Sequence, residues 1–537
     1  MSNLVQNNKI FRNTFFLIII AELLSFLGYY YSSVNLSAFF IIVILTLIFA
    51  LAKLKYGIFI LLTELFIGSF GYLFYFKNGG LIISLRIALW LIIMSVWLAK
   101  VVVAWVRTKK LTLDFSKSRQ FAPAIVLLFF IGWGAVNGFL NGNSLSNMFF
   151  DFNNWLYFLL IFPLYSVLRD ESNFKIIKHI FLASITWLSL KTIFLVYIFT
   201  HNFHGLDSEI YGWMRTDRLG EITQTTAGFS RIFMQSHIYV LIGFFILLVY
   251  LLYAIMNDRF SFVIPAFKPK ASRPADAGWI AGQARNDKER DLDSSAGMAR
   301  YMIILILLLS TILISFSRSF WLGLLAGGIF VWLIAIFKLK IKLKAFVIYN
   351  SIILCVIIAS LLLTAVAVKF PYPSAYGGFN PADLLAQRAT QISGEAGASS
   401  RWQLLTPLWQ EIKTAPIIGR GFGATVTYKS DDPRVLAVNP DGLYTTYSFE
   451  WGWLDLWLKL GLLGLIAYLF LLFRIIKDGL KANSSLIISL IAGVVVLMTV
   501  NIFSPYVNHP LGIGYIILTM AIIRNKESVK LKSQNAK

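Results

Sequence analysis

The chain has 537 residues, 58% hydrophobic and 14% charged, with a mean hydropathy of +0.72. No soluble globular chain of this size is so apolar, and the period-two alternation of a membrane β-barrel is absent. The formal net charge is +22; in so apolar a chain the positives read as orienting membrane spans, not as a nucleic-acid surface. The single cysteine, Cys355, excludes intrachain disulfides and cysteine metal sites.

Apolar runs long enough to cross a hydrocarbon core recur along the chain. In lipid such runs are helices, because each backbone group must be bonded within its own segment. The expected fold is all-α and polytopic, with about 12–14 membrane helices and one long outer loop containing short helices. Candidate spans fall at 13–30, 36–52, 56–76, 81–106, 122–139, 153–168, 179–199, 237–256, 301–316, 318–337, 345–368, 452–473, 484–503 and 509–523. The first follows Asn/Lys/Arg-rich residues and lacks a small-residue cleavage site, so it reads as a retained span.

With the N-terminus inside, the basic clusters at 9–12, 53–55, 107–119, 169–178, 259–300, 338–344, 474–481 and 524–537 share one side. That bias sets both termini in the cytoplasm and the long polar interval outside. The chain thus divides into N-terminal membrane helices (1–257), a cytoplasmic low-complexity insertion (258–300), further membrane helices (301–368), a periplasmic loop (369–451), C-terminal membrane helices (452–523) and a cytoplasmic tail (524–537). The insertion is rich in Ala, Pro, Asp, Arg and Gly, cannot bury a core, and is expected to be disordered. Its 265–300 stretch resembles a translated palindromic repeat.

Charged groups inside or at the rim of a span are costly and usually face a cavity. Arg86, Arg231 and Arg318 stand near the outer ends of spans, and Arg401 and Arg420 in the outer loop, so all five can reach one depth. The guanidinium fork suits phosphate oxygens, although snorkelling to headgroups is the simpler reading of any single one. Lys191, Glu22 and Glu64 lie deeper, and Lys191 is expected to pair with one of the two carboxylates. His201, His204, His237 and His509 lie near the outer face without zinc-ligand spacing.

Within the loop, Ser400-Arg-Trp-Gln403 has the form of a capping box. Trp402, Leu405, Leu408, Trp409 and Ile412 then share one helical face, and Pro416 ends the run. This predicts a helix lying on the membrane surface with its tryptophans at headgroup level. Gly419, Gly421 and Gly423 follow as a tight turn. No phosphate-loop Gly-Lys-Ser/Thr accompanies them, which leaves a backbone anion nest as the ligand-binding reading. Glu450 lies at the water boundary and Asp455 about one turn inside the next span. Paired carboxylates at a membrane rim can act as a base or orient an acceptor, while Glu450 can equally cap the helix N-terminus.

Ser315-Phe-Ser-Arg-Ser319, Ser400-Arg-Trp-Gln403, Ala415-Pro-Ile-Ile-Gly-Arg-Gly-Phe-Gly423 and the aromatic, acidic segment before Leu460-Gly-Leu-Leu-Gly464 occur in this order around the long loop. Together they resemble the O-antigen ligase and polymerase superfamily of bacterial inner-membrane glycosyltransferases. The resemblance implies transfer of a glycan from undecaprenyl diphosphate to an acceptor hydroxyl, either another glycan or lipid A-core. It implies no metal, cofactor or nucleotide sugar, and no partner beyond these substrates and membrane lipids. Arg86, Arg231, Arg318 and Arg401 would correspond to arginines that hold the diphosphate, with Arg420 as a further candidate. Ligases of this family place a histidine where this chain has Glu450, which favours a polymerase-like member with Glu450 and Asp455 as the catalytic carboxylates. A lipid-linked glycan transporter and a catalytically inactive assembly partner are the alternatives; a transporter would more often show two related halves, and no internal repeat is visible.

Overall fold

The computed structural model describes residues 2–109, 121–203, 205–225, 228–257, 280–378, 396–482 and 484–535. The chain opens with α1 (Ser2–Tyr30), α2 (Ser32–Ala52), α3 (Leu54–Ile67), a hairpin of β1 (Tyr75–Asn78) and β2 (Leu81–Ser84), and α4 (Leu85–Thr108). Next come α5 (Phe121–Leu140), α6 (Leu145–Trp155), a 3-10 turn (Leu156–Leu160), α7 (Ile161–Val167) and α8 (Glu171–Ile198). After α9 (Leu206–Thr216) and the hairpin of β3 (Glu221–Gln224) and β4 (Ser230–Phe233) stand α10 (His237–Met256), α11 (Ile280–Ser315), α12 (Arg318–Leu333) and α13 (Leu343–Lys369). The C-terminal part holds α14 (Ala396–Thr414), a hairpin of β5 (Val426–Lys429) and β6 (Leu443–Thr446), α15 (Gly452–Lys481), α16 (Ser485–Val500) and α17 (Pro510–Asn535).

Ten of the described helices are long and apolar enough to cross a membrane, and α16 and the apolar part of α17 are shorter. The only sheets among the described residues are the three antiparallel two-stranded hairpins. This is a polytopic helical membrane protein. The helices differ in how much of their surface the protein itself covers. Of the most apolar stretch, 72% is buried in α10 but only 17% in α1 and 22% in α2 and α4. Thus α10 is central, packed by α8, α11, α12 and α16, and the first helices form a rim. The rim exposes Leu17, Ile20, Ile44, Leu91 and Leu98, as expected where the surrounding solvent is hydrocarbon.

Two expected spans are not single helices. Instead of crossing as 56–76, α3 stops at Ile67 and the chain turns through Ser69 and Gly71, both at positive φ, into the β1–β2 hairpin. Arg86 fills the space beside Gly71, where any Cβ would press on the Arg86 side chain. The expected 153–168 span is broken into the end of α6, the 3-10 turn and α7. Pro163 falls in the first turn of α7, where its missing N–H leaves no helical bond unmade.

The expected disordered insertion at 258–300 also divides. Residues 258–279 lie outside the described residues, as does His204. From Ile280 the chain is helical and runs without a break into α11. The physical reason is that the 281–300 half is rich in Ala, Gln, Arg, Lys and Glu, good helix formers, and free of proline.

Candidate functional site

The long loop builds a cap over one end of the bundle. Leu404, Leu408 and Ile412 recur every four residues along α14 and are buried, packing with Ala424, Val426, Phe449 and Leu458 into a small core of their own. Of the expected Trp402/Leu405/Leu408/Trp409/Ile412 face, Leu408 and Ile412 lie in this stripe and Leu404 completes it in place of Leu405, because the helix turns its aliphatic side toward β5 and α15. Trp402 and Trp409 flank it and meet Trp451 and Trp457 edge-on, with ring centroids 5.2 and 5.3 Å apart. The Trp451 and Trp457 indole N–H groups donate to the carbonyls of Arg401 (2.8 Å) and Pro416 (2.9 Å).

No capping box forms. The helix begins at Ala396, so Ser400 lies inside it and its hydroxyl meets that of Ser430 at 2.7 Å. The Gln403 amide donates to Asp431.

After α14 the glycine-rich segment passes between α5 and α15. Its N–H groups are spent on carbonyls and a carboxylate: Arg420 on Leu458 (2.7 Å), Gly421 on Lys459 (3.1 Å), Phe422 on Gly134 (2.8 Å) and Gly423 on the Asp151 carboxylate (2.8 Å). An anion nest is therefore ruled out here, since the donors that would bind the anion are taken. The segment's carbonyls are equally engaged. Asn137 donates to Gly419 (2.8 Å), Asn143 to Arg420 (3.0 Å) and Phe422 (2.8 Å), and Trp133 to Ile418 (3.0 Å).

This insertion is why α15 breaks. Gly461 has φ 71° and ψ 176°, outside helical space. The N–H groups just beyond it, on Leu462 and Leu463, donate to Pro416 (2.9 Å) and Ile417 (3.4 Å) instead of to their own helix. Gly421, at φ +78°, lies so close to Gly138 that any side chain would overlap the Gly138 backbone.

Below the break sits a buried charge cluster. The Lys459 ammonium lies 2.7 Å from an oxygen of Asp455, four residues earlier, and 2.7 Å from an oxygen of Asp151 on α6. Asn508 donates its amide to the other Asp455 oxygen. Asp455, Lys459 and Asp151 are all under 9% exposed. Of the two candidate catalytic carboxylates, Asp455 is thus enclosed, with both oxygens engaged. Asp151, Lys459 and Asn508 were not foreseen. The spacing of Asp455 and Lys459 on one helical face was a readable signal for the second of them, but nothing in the sequence joins Asp151 to a residue 308 positions away.

The other carboxylate, Glu450, forms an ion pair with Arg401 where the cap meets α15, and both side chains are partly exposed. A predicted anion binder and a predicted base are therefore in contact. Arg231 donates to the Ser315 carbonyl (2.8 Å) and stacks over Phe233, which fastens β4 to the turn carrying Arg318 at the start of α12. In that turn the Ser317, Ser319 and Ser504 hydroxyls form a chain at 2.9 and 3.0 Å.

Arg420 pairs with Glu411 at 2.9 Å. Arg86 stands apart: it is 3% exposed and makes a two-pronged bond to Glu64 (3.0 and 3.0 Å) with a third to the Ser69 carbonyl (2.7 Å). Three guanidinium donors go to the protein, and the hairpin after α3 is tied to α4. Lys191 pairs with Glu22 at 2.6 Å, the first of its two expected partners. His201 and His237 are buried and His509 is partly buried, and each is hydrogen-bonded to a neighbouring protein group.

A helical bundle with a two-sided cap and arginines at the seam is the setting for one comparison. Residues 303–469, from α11 through the cap to beyond the α15 break, match the family model described as O-antigen ligase. The match makes this part of the chain similar to the O-antigen ligase superfamily. No curated protein matches the chain.

Proposed function

We propose that the protein transfers a glycan from undecaprenyl diphosphate to an acceptor hydroxyl at the outer face of the bacterial inner membrane, as a polysaccharide polymerase or a ligase-like transferase. The family match supports the coarse class, a lipid-linked glycan transferase or ligase. The observation that carries the finer reading is the Arg401–Glu450 ion pair at the seam between cap and bundle. In the resting protein the guanidinium neutralises the carboxylate. A diphosphate drawn to Arg401, with Arg318 and Arg231 facing the same rim, competes for that guanidinium and releases Glu450.

The chemistry then balances. The acceptor hydroxyl gives its proton to Glu450, and its oxygen bonds the anomeric carbon. The bond from that carbon to the diphosphate oxygen breaks, and lipid diphosphate leaves with the electron pair. Charge growing on the leaving group is stabilised by cations already in place, which is where such sites gain most. In this reading Arg86 supports the rim from below, and the Asp151–Lys459–Asp455 cluster fixes the α15 break that presents Glu450. The cap is the periplasmic loop, both termini are cytoplasmic, and arginine supplies the positive charge at the leaving group.

The test is surface glycan from cells carrying single variants at normal protein level. Arg401→Ala and Arg318→Ala are each expected to lower transfer by about 10²–10³-fold, the usual effect of removing one oxyanion donor. Glu450→Gln is expected to lower it by roughly 10²-fold or more. Unchanged glycan in Glu450→Gln removes the base, and unchanged glycan in both arginine variants removes the clamp. Deletion of the gene separates the two transferase types. A single repeat on the lipid acceptor marks lost polymerisation, whereas full-length glycan left on undecaprenyl diphosphate marks lost ligation.

A further inference from the structure

At the end of the bundle away from the cap, an open cleft of ≈ 530 Å³ lies between the α2–α3 turn, α4 and the α7–α8 turn. Lys53, Lys55, Lys100 and Arg169 line it from three separate stretches of chain. One carboxylate, Asp170, is among the lining groups. It accepts the Ser172 N–H at 2.9 Å in the first turn of α8 and also faces Lys55, so the basic groups of the cleft outnumber it. Lys100 gives one N–H to the Ala50 carbonyl at 3.2 Å, which leaves its remaining donors for a ligand. Trp97, Leu54 and Val101 supply an apolar wall on the same cleft.

A second feature is independent of the charges. Asn173 lines the cleft and is 4% exposed. Its amide nitrogen donates to the Val167 carbonyl at 2.8 Å, which fixes the orientation of the group. Its Oδ1 then has no hydrogen-bond partner among the described residues. A buried acceptor without a donor is a costly arrangement. As it stands the oxygen is shut off from the cleft; a ligand hydroxyl would relieve it on a small outward turn of the side chain.

We propose that this cleft binds an anionic lipid whose headgroup carries both a phosphodiester and a free hydroxyl, a glycerophosphate. The lysines and Arg169 surround the phosphate, Asn173 Oδ1 accepts from the glycerol hydroxyl, and the acyl chains run along Trp97 and the exposed apolar face of α4. Basic pockets between membrane helices are the usual place for such headgroups. The hydroxyl contact distinguishes this site from a surface that gathers any anion. It stands whether or not the glycan reading holds, since no residue is shared between the two sites.

The full-length protein, purified in a neutral detergent, is titrated with phosphatidylglycerol, phosphatidic acid and phosphatidylcholine and read by native mass spectrometry. Glycerol 3-phosphate and inorganic phosphate are the soluble arms. Phosphatidylglycerol is expected to bind and to stay bound on activation, phosphatidic acid more weakly and phosphatidylcholine not at all. Lys53→Gln with Lys100→Gln and Arg169→Gln is expected to weaken phosphatidylglycerol by on the order of a hundredfold. Asn173→Ala is expected to erase its advantage over phosphatidic acid.

Lys53→Arg with Lys100→Arg keeps the charge and is expected to keep binding, which separates lost charge from lost folding. Equal binding of phosphatidylglycerol by wild type and the triple Gln variant overturns the proposal. So does a cleft filled by glycerol 3-phosphate or inorganic phosphate that phosphatidylglycerol does not displace, which would mark a soluble-phosphate site.

Discussion

Lys459 holds two carboxylates in a space that water does not reach, so its removal strands both. Breaking a buried pair by deleting one partner typically costs about 3–5 kcal/mol, because a charge is left unanswered. Lys459→Met is expected to destabilise the protein by that order, seen as a lower melting temperature in detergent. Adding Asp151→Asn and Asp455→Asn to it is expected to recover most of the loss. A single variant as stable as the parent would show that the cluster does not hold α15 in place. Legibility at this scale followed how conspicuous a charge is among its neighbours, not sequence distance. Arg86, Lys191 and Glu64 stood out because a charge in an apolar run is conspicuous, and the Lys191–Glu22 pair was among those expected. Asp151 sits beside Phe150 and Phe152 at the edge of an expected outer loop, where an aspartate attracts no notice, so its partner at 459 could not be read. Glu450 was singled out by its boundary position; that Arg401 is its partner required the fold.

Elements here are shaped as much by what inserts between them as by their own pattern. The glycine-rich segment reads locally as a tight turn. Only against α5 does its spacing make sense, with Gly421 against Gly138 and Gly461 opened to receive Pro416 and Ile417. Gly421→Ala would set a methyl into the Gly138 backbone at a φ that disfavours any side chain. Limited proteolysis is expected to cut the cap of that variant far faster than the parent, and equal rates would show that the insertion tolerates displacement. The broken spans at 56–76 and 153–168 were illegible for a related reason. Hydropathy counts apolar residues and does not see that Arg86 needs a turn at Gly71 to accommodate it.

The α9–β3 connection carries a titration of its own. Burial pushes the Asp217 carboxyl from 3.8 up to about 7, against the opposing hydrogen bond from Ser25. Because the folded state holds the proton more tightly than the unfolded chain, this group's contribution to stability falls as pH rises from about 4 to 7 and is level above that. Melting temperature is expected to decline over that window in the parent and less so in Asp217→Asn. Identical slopes would assign the pH dependence elsewhere.

For the whole molecule, the sequence's apolar runs were enough to establish a polytopic helical protein, because lipid forces each run to bond to itself. Which helices sit at the centre was not readable, since α10 and α2 are equally apolar and differ only in what covers them. The charge bias makes a definite claim about sidedness. Cys355 is the chain's one cysteine and is exposed, so a Cys355→Ser background is clean for labelling. In that background a membrane-impermeant maleimide is expected to reach Lys429→Cys from the outer side of intact inner membranes. Lys344→Cys is expected to label only after permeabilisation. The opposite pattern would invert the topology.

The cap and α5 also impose an order on biogenesis. The side chains of Trp133, Asn137 and Asn143 find their partners some 280 residues further along, at 418–422. A ribosome adding about 5–20 residues per second needs on the order of tens of seconds to reach them. During that interval a helix already in the bilayer carries the Trp133 indole and the Asn137 amide with no protein acceptor, and the turn after it carries the Asn143 amide. The nascent chain must therefore be shielded until its C-terminal third arrives, so truncation anywhere before residue 423 yields a bundle with an unfilled polar seam and not a smaller working protein.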